Sequence, residues 1–220
     1  MFNEIYEFVT GPLAWFGWGV FILGSIWKLT SLWSLARKKD QTSIHYVKPK
    51  FALRSIAHWL TPFGTLGWRE NPAVTVVTFI FHICLVLVPI FLSAHVILWE
   101  EWFGVSIPAL PNTVADIMTV LVILCGAFYA WRRLSVPEVA FVTEAKDWWV
   151  LGVVVAPFVT GFLAYHQIFN YEVMIVLHVV TGIAWLALIP FSRLSHMLVS
   201  WYSRAYIGSE FQGVRHCKDW

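Results

Sequence analysis

Charge is scarce in this chain. Asp, Glu, Lys and Arg make up 13% of its 220 residues, about half the share of an ordinary soluble domain. The few charges are crowded into short segments. Between them lie uncharged stretches of about 20 residues or more, the length of helix that crosses a bilayer core. That leaves little chain for a soluble domain. Cysteine is scarce too. Cys84, Cys125 and Cys217 stand apart and no CxxC occurs, which removes the sequence case for a zinc knuckle, an iron–sulfur cluster or c-type haem attachment. Cys84 and Cys125 fall inside apolar runs and read as small core residues. Met1 to Thr10 holds Glu4 and Glu7 but no Lys or Arg. A signal peptide opens with positive charge, so the first apolar segment is expected to be retained. There is no internal repeat and no low-complexity segment.

Apolar residues make up 59% of the chain, and Trp occurs 14 times. Trp33, Trp99, Trp102, Trp131, Trp148, Trp149 and Trp201 lie at the ends of apolar runs. Indole rings prefer the headgroup region, so these read as an aromatic belt. Five spans follow, at about 12–35, 71–99, 112–131, 147–167 and 171–198. Each is expected to be helical, because a span in lipid must satisfy its own backbone polar groups.

Five spans put the termini on opposite sides, and the distribution of charge orients them. All 15 basic residues fall on one side. They lie near the inner end of span one (Lys28), in segment 37–70, between spans three and four (Arg132, Arg133, Lys146), and from Arg193 onward. The other side holds only acids: Glu4, Glu7, Glu100, Glu101, Asp116 and Glu172. The positive-inside rule then puts the N-terminus outside and the C-terminus in the cytoplasm. The expected architecture is a single all-α integral membrane domain over 1–220, with a cytoplasmic segment at 37–70 and a cytoplasmic tail at 199–220. Pro49, Pro62, Gly64 and Gly67 prevent segment 37–70 from forming one helix. Phe51 to Leu60 reads as an amphipathic interfacial stretch. The basic face is either the topogenic signal alone or a docking surface for a cytoplasmic subunit. No nucleic-acid partner is expected.

Histidines carry the chemistry. Span two holds His82 and His95, and span five holds His178 and His196. Ionisable residues inside membrane spans are costly and usually functional. A lone membrane His also serves as a hydrogen-bonding core residue, but two helices with two each favour bis-imidazole haem ligation, one His from each helix. Span two runs outward and span five inward. His95 and His178 are then the outer partners, and His82 and His196 the inner ones. Along straight helices His82 and His95 are separated by roughly 20 Å, and His178 and His196 by roughly 27 Å. Pro190, between His178 and His196, is expected to kink or break span five and so ease that mismatch. His178 and His196 share a face, whereas His82 and His95 are roughly 140° apart on an ideal helix. Pro89 lies between the latter two and alters the winding.

Span five reads LHVVTGIAWLALIPFSRLSH from Leu177 to His196, and span two holds FHI at Phe81 to Ile83. These segments resemble the gamma subunit of respiratory nitrate reductase, a five-helix di-haem cytochrome b. The shared features are the LH opening, Gly182 four residues later and the PFSRLxH ending. The resemblance spans all five helices in topology and is sharp in these two. It implies that His82, His95, His178 and His196 are axial ligands of two haem b groups, with quinone chemistry beside one of them. The thirteen-residue spacing of the span-two histidines is wider than in nitrate reductase. Together with HWLTPFGTLGWRENP before span two, it looks more like relatives in the transmembrane redox complexes of sulfate-reducing bacteria. That likeness implies a bacterial inner membrane and neighbouring membrane subunits. It also implies a cytoplasmic iron–sulfur subunit of heterodisulfide-reductase type, a periplasmic multihaem cytochrome c and menaquinone.

Other residues admit two readings. Arg193 is either a haem propionate partner or a snorkelling interfacial Arg. Gly24 and Gly182 either let a flat haem approach or allow close helix packing. His166 and Asp116, with Glu100 and Glu101, form either a quinone and proton site or a solvated rim. His45, His58 and His216 read as surface residues. The expected function is electron transfer across the membrane, in which any catalysis would be quinone or quinol oxidoreduction and no residue acts as a nucleophile. A haem-free membrane anchor that binds partners and quinone is the alternative. A small transporter would lack an evident inverted repeat and leave the four histidines unexplained.

Overall fold

The computed structural model describes residues 2–220, apart from the side chain of Ser43. Every regular element among them is helical. Five helices, Phe2–Lys39, Pro72–Phe91, Asn112–Ser135, Ala145–Tyr165 and Tyr171–Leu188, are long and apolar enough to cross a membrane. They mark the chain as a multi-pass membrane protein.

The first helix begins earlier and ends later than expected. Helix α1 (Phe2–Phe8) passes through a wide turn, Val9–Leu13, into α2 (Ala14–Lys39). Pro12 sits inside that turn. Proline has no N–H to give to a regular helical ladder, and a π-type turn absorbs the missing bond without ending the helix. The chain divides into two compact units near this point. The first holds the N-terminal segment to Pro12 and Val77–Trp185; the second holds Leu13–Val76 and Leu186–Trp220.

In the second unit, segment 37–70 is broken as expected, into α3 (Gln41–Tyr46), α4 (Pro49–Leu60) and α5 (Leu66–Glu70). Pro49 opens α4 at its first turn, where a missing N–H costs nothing. Helix α4 buries Ala52 and Ser55 against α12 (His196–Gly208). Gly208 makes this approach possible, since a Cβ there would fall on Ser55 and on the Phe51 carbonyl oxygen. The last residues then return over α4. The Asp219 carboxylate accepts hydrogen bonds from Ser55 Oγ (2.5 Å), Arg204 (2.7 Å) and Gln212 Nε2 (2.8 Å). Trp220 stacks on His58 at 4.0 Å between ring centroids. What reads in sequence as a polar tail is therefore a helix with a folded-back clasp, and His58 is part of its packing.

Span five does not run to 198. It forms α11 (Tyr171–Leu188), then a short turn, Arg193–Ser195, then α12. The break falls at Pro190, which is fully buried. Gly24 of α2 lies against it: a Cβ there would be 2.6 Å from the Phe191 ring and 2.8 Å from Pro190 Cγ. Gly24 thus serves close packing.

In the first unit, α8 (Asn112–Ser135) and α10 (Ala145–Tyr165) form an antiparallel hairpin, joined through the short α9 (Pro137–Phe141). Ala115, Thr119, Val122 and Gly126 make the buried stripe of α8, the four- and three-residue repeat of one helix face. A Cβ at Gly126 would lie 2.6 Å from Val155 of α10, so the backbones approach there as small residues allow. Glu144 and Asp147 cap α10 reciprocally, each satisfying a backbone N–H of the other.

Span two is also two helices. Helix α6 (Pro72–Phe91) ends at Leu92, which is extended, and α7 (Ser93–Phe103) begins beyond it. Helix α7 closes on Gly104 in the left-handed conformation, φ 66°, where glycine has no steric penalty.

Candidate functional site

The break between α6 and α7 would strand the last carbonyls of α6. Each is taken. Val88 O accepts from Leu92 N (2.9 Å), Pro89 O from His95 Nδ1 (2.9 Å), Ile90 O from Trp99 Nε1 (3.0 Å) and Phe91 O from Leu110 N (2.8 Å). Pro89 cannot donate to the turn before it, and three residues later the helix turns aside. One of the four hydrogen bonds that heal the break is the one that aims His95.

His95 meets His178 of α11. The ring centroids are 5.9 Å apart and the ring planes are 16° from parallel. His178 Nδ1 lies 2.8 Å from the carbonyl oxygen of Pro157 on α10. A carbonyl only accepts, so each Nδ1 carries a proton, and the neutral ring then keeps its lone pair on Nε2. Such a backbone hydrogen bond is what fixes the tautomer and orientation of a metal-ligating imidazole. An imidazole nitrogen sits about 2 Å from a bound metal, which puts the centroids of two rings facing across one ion roughly 6 Å apart. The observed centroid spacing is of that size. Among the described residues no group of three or more His, Cys, Asp or Glu gathers to hold a metal ion. Two imidazole nitrogens are a donor set that haem iron accepts.

Two glycines flank His178. On α10, a Cβ at Gly161 would lie 2.7 Å from His178 Nδ1. On α11 itself, Gly182 is one turn beyond His178 on the same face, and a Cβ there would meet nothing within 4 Å. No residue of α11 is buried.

The other two histidines belong to different units. His82, on α6 in the first unit, is exposed, and its Nδ1 lies 2.8 Å from Thr78 O. The same Thr78 accepts from the Tyr129 hydroxyl on α8 (3.1 Å), and Phe81 packs edge-on against the Tyr129 ring. These contacts tie the His82 turn to α8. His196, in the second unit, opens α12 and is also exposed, with Nδ1 2.9 Å from Arg193 O. Arg193 is exposed in the turn before it.

His166 and Asp116 do come together. His166 Nε2 lies 3.3 Å from Asp116 Oδ2, at the end of the α8–α10 hairpin. They edge a cleft of about 320 Å³ whose other walls are Ile117, Val120, Leu121 and Phe162. Glu100 and Glu101 lie on α7 and do not line it. One polar pair at the rim of an apolar cleft can take an amphipathic ring and exchange a proton with it. Pro157 and Gly161 went unread in the sequence. Their signal was a Pro and a Gly four residues apart in an apolar span, opposite a span with an intramembrane His.

No protein-family model matches the chain, and no solved structure matches it. A protein of Nitratidesulfovibrio vulgaris strain Hildenborough, named only as a protein, is 41% identical over 212 residues, covering 94% of this chain and 93% of its relative.

Proposed function

We infer that this chain, which belongs to the same family as the Nitratidesulfovibrio vulgaris protein, is a membrane-embedded di-haem cytochrome b subunit of a respiratory redox complex. The observation that carries this reading is the His95–His178 pair, with rings 5.9 Å apart and near parallel. Both Nδ1 atoms are held by backbone carbonyls. Haem supplies reversible one-electron chemistry when bound. His95 and His178 hold the outer group, and the open flank at Gly182 leaves room for a flat ring beside them. The assignment of His82 and His196 to the inner group, with Arg193 as propionate partner, rests on the resemblance in sequence.

The N-terminus is outside and the C-terminus cytoplasmic, on the strength of the 15 basic residues that share one side. The membrane is the bacterial cytoplasmic membrane. The His166–Asp116 cleft would hold menaquinone, with His166 to exchange a proton with a ring oxygen, Asp116 to balance its charge, and the neighbouring haem to exchange the electrons one at a time. A periplasmic multihaem cytochrome c and a cytoplasmic iron–sulfur subunit of heterodisulfide-reductase type are the partners that the resemblance implies, together with other membrane subunits.

The test is spectroscopic. Membranes from an expressing strain, reduced with dithionite, should show a b-type spectrum with about two haems per chain. Substituting Ala for His95 or His178 should remove one haem, and for His82 or His196 the other. A chain that stays colourless when haem is supplied overturns the reading and leaves the haem-free anchor.

A further inference from the structure

The geometry points to Gly161 as the positioning residue for His178, holding its imidazole nearly parallel to that of His95. This rests on the haem reading above. Gly161 lies on α10, one turn beyond Pro157 and on the same face. The His178 ring reaches the Pro157 carbonyl across that face, at 2.8 Å. A Cβ at residue 161 would sit 2.7 Å from Nδ1 and 2.8 Å from Cε1 of the ring, closer than carbon and nitrogen approach without a bond. Any side chain there must lift the ring off its carbonyl or turn it about its own axis. The neighbouring turn leaves little slack, because Thr160 Oγ1 of α10 and Thr181 Oγ1 of α11 are 3.4 Å apart. His95 is held independently, by Pro89 O at 2.9 Å. The 16° angle between the rings is thus set by two backbone carbonyls, and only one of them is reached over a glycine.

The angle between two axial imidazole planes has a spectroscopic consequence. Parallel planes split the iron orbitals that interact with the ligands and give a rhombic low-spin signal in the ferric state. Crossed planes leave those orbitals nearly degenerate and give a highly anisotropic signal. The orienting hydrogen bond of a ligand histidine is a known lever on such sites.

The experiment is low-temperature electron paramagnetic resonance on the oxidised full-length protein with haem bound. The wild type should show a rhombic component that is lost in His178→Ala. Gly161→Ala should convert that component to the anisotropic form and shift the midpoint potential of that haem alone. Gly152→Ala is the control on the same helix, since a Cβ there meets nothing within 4 Å, and it should change neither. If Gly161→Ala does not accumulate, the double variant Gly161→Ala/His178→Gly should accumulate as His178→Gly alone does, because the ring it would strike is gone. An anisotropic His178-dependent signal in the wild type overturns the inference. So does a Gly161→Ala spectrum identical to wild type, or a double variant that fails where His178→Gly succeeds. A wild-type protein without haem overturns both this inference and the reading it rests on; two haems with an unchanged Gly161→Ala spectrum overturn this one alone.

Discussion

Arg204 and Asp219 form an ion pair at 2.7 Å, and the Asp219 side chain is almost wholly buried. Ser55 and Gln212 add two hydrogen bonds to the same carboxylate. A buried carboxylate with three donors is stable only while all remain. Substituting Ala for Asp219 should lower the stability of the second unit by about 3 kcal/mol, because Arg204 keeps its charge and loses its partner. Hydrogen exchange on α4 and α12 in detergent is the measurement, and an unchanged protection pattern would show that the clasp does not hold these helices together.

Gly126 and Val155 couple α8 to α10. Gly126→Ala should destabilise the hairpin by about 1–3 kcal/mol through overpacking. Val155→Ala in the same chain should recover most of that loss, since the two positions share one contact. Thermal unfolding of the two single variants and the double variant closes the cycle. Additive effects would mean that the backbones can separate at no cost.

Topology is open to a chemical test with the native cysteines. Cys84 and Cys125 are buried, and Cys217 is exposed. A membrane-impermeant maleimide should label inverted membrane vesicles and leave intact spheroplasts unlabelled. Cys217→Ser should abolish the labelling. Labelling of intact spheroplasts would place the C-terminus outside and reverse the orientation.

If the cleft at His166 is a quinol site of a di-haem protein, as proposed, reduction by quinol and by dithionite should part there. His166→Ala and Asp116→Asn should each slow haem reduction by a menaquinol analogue about tenfold or more, while reduction by dithionite stays complete. Equal quinol rates in wild type and variants would return the pair to a solvated rim.

Much of this architecture is written in local chemistry. Spans announce themselves because lipid tolerates neither charge nor unpaired backbone groups over a whole stretch. Pro190 announced the break in span five, and Pro49 with Gly64 and Gly67 announced that the segment after span one is several pieces. The break at Leu92 was less legible. Pro89 signalled a change in winding, but helices in membranes often pass through a proline, and its carbonyl has to find a donor elsewhere before the chain turns aside. The side of the bilayer on which each end rests is a sum over charges spread along the whole chain.

The sequence by itself determined that this is a five-span helical membrane protein with histidines inside two of its spans, because hydrophobic length and the cost of intramembrane charge depend on composition alone. Only the tertiary structure decided that His95 and His178 lie side by side with near-parallel rings, each Nδ1 on a backbone carbonyl. That outcome depends on the Pro89 and Pro157 carbonyls and on the missing side chain of Gly161. It also decided that His166 reaches Asp116, and that the polar tail folds back to clasp α4. Each of these joins residues far apart in the chain, and the spacing of residues along one helix carries no information about the acceptor that another helix will offer.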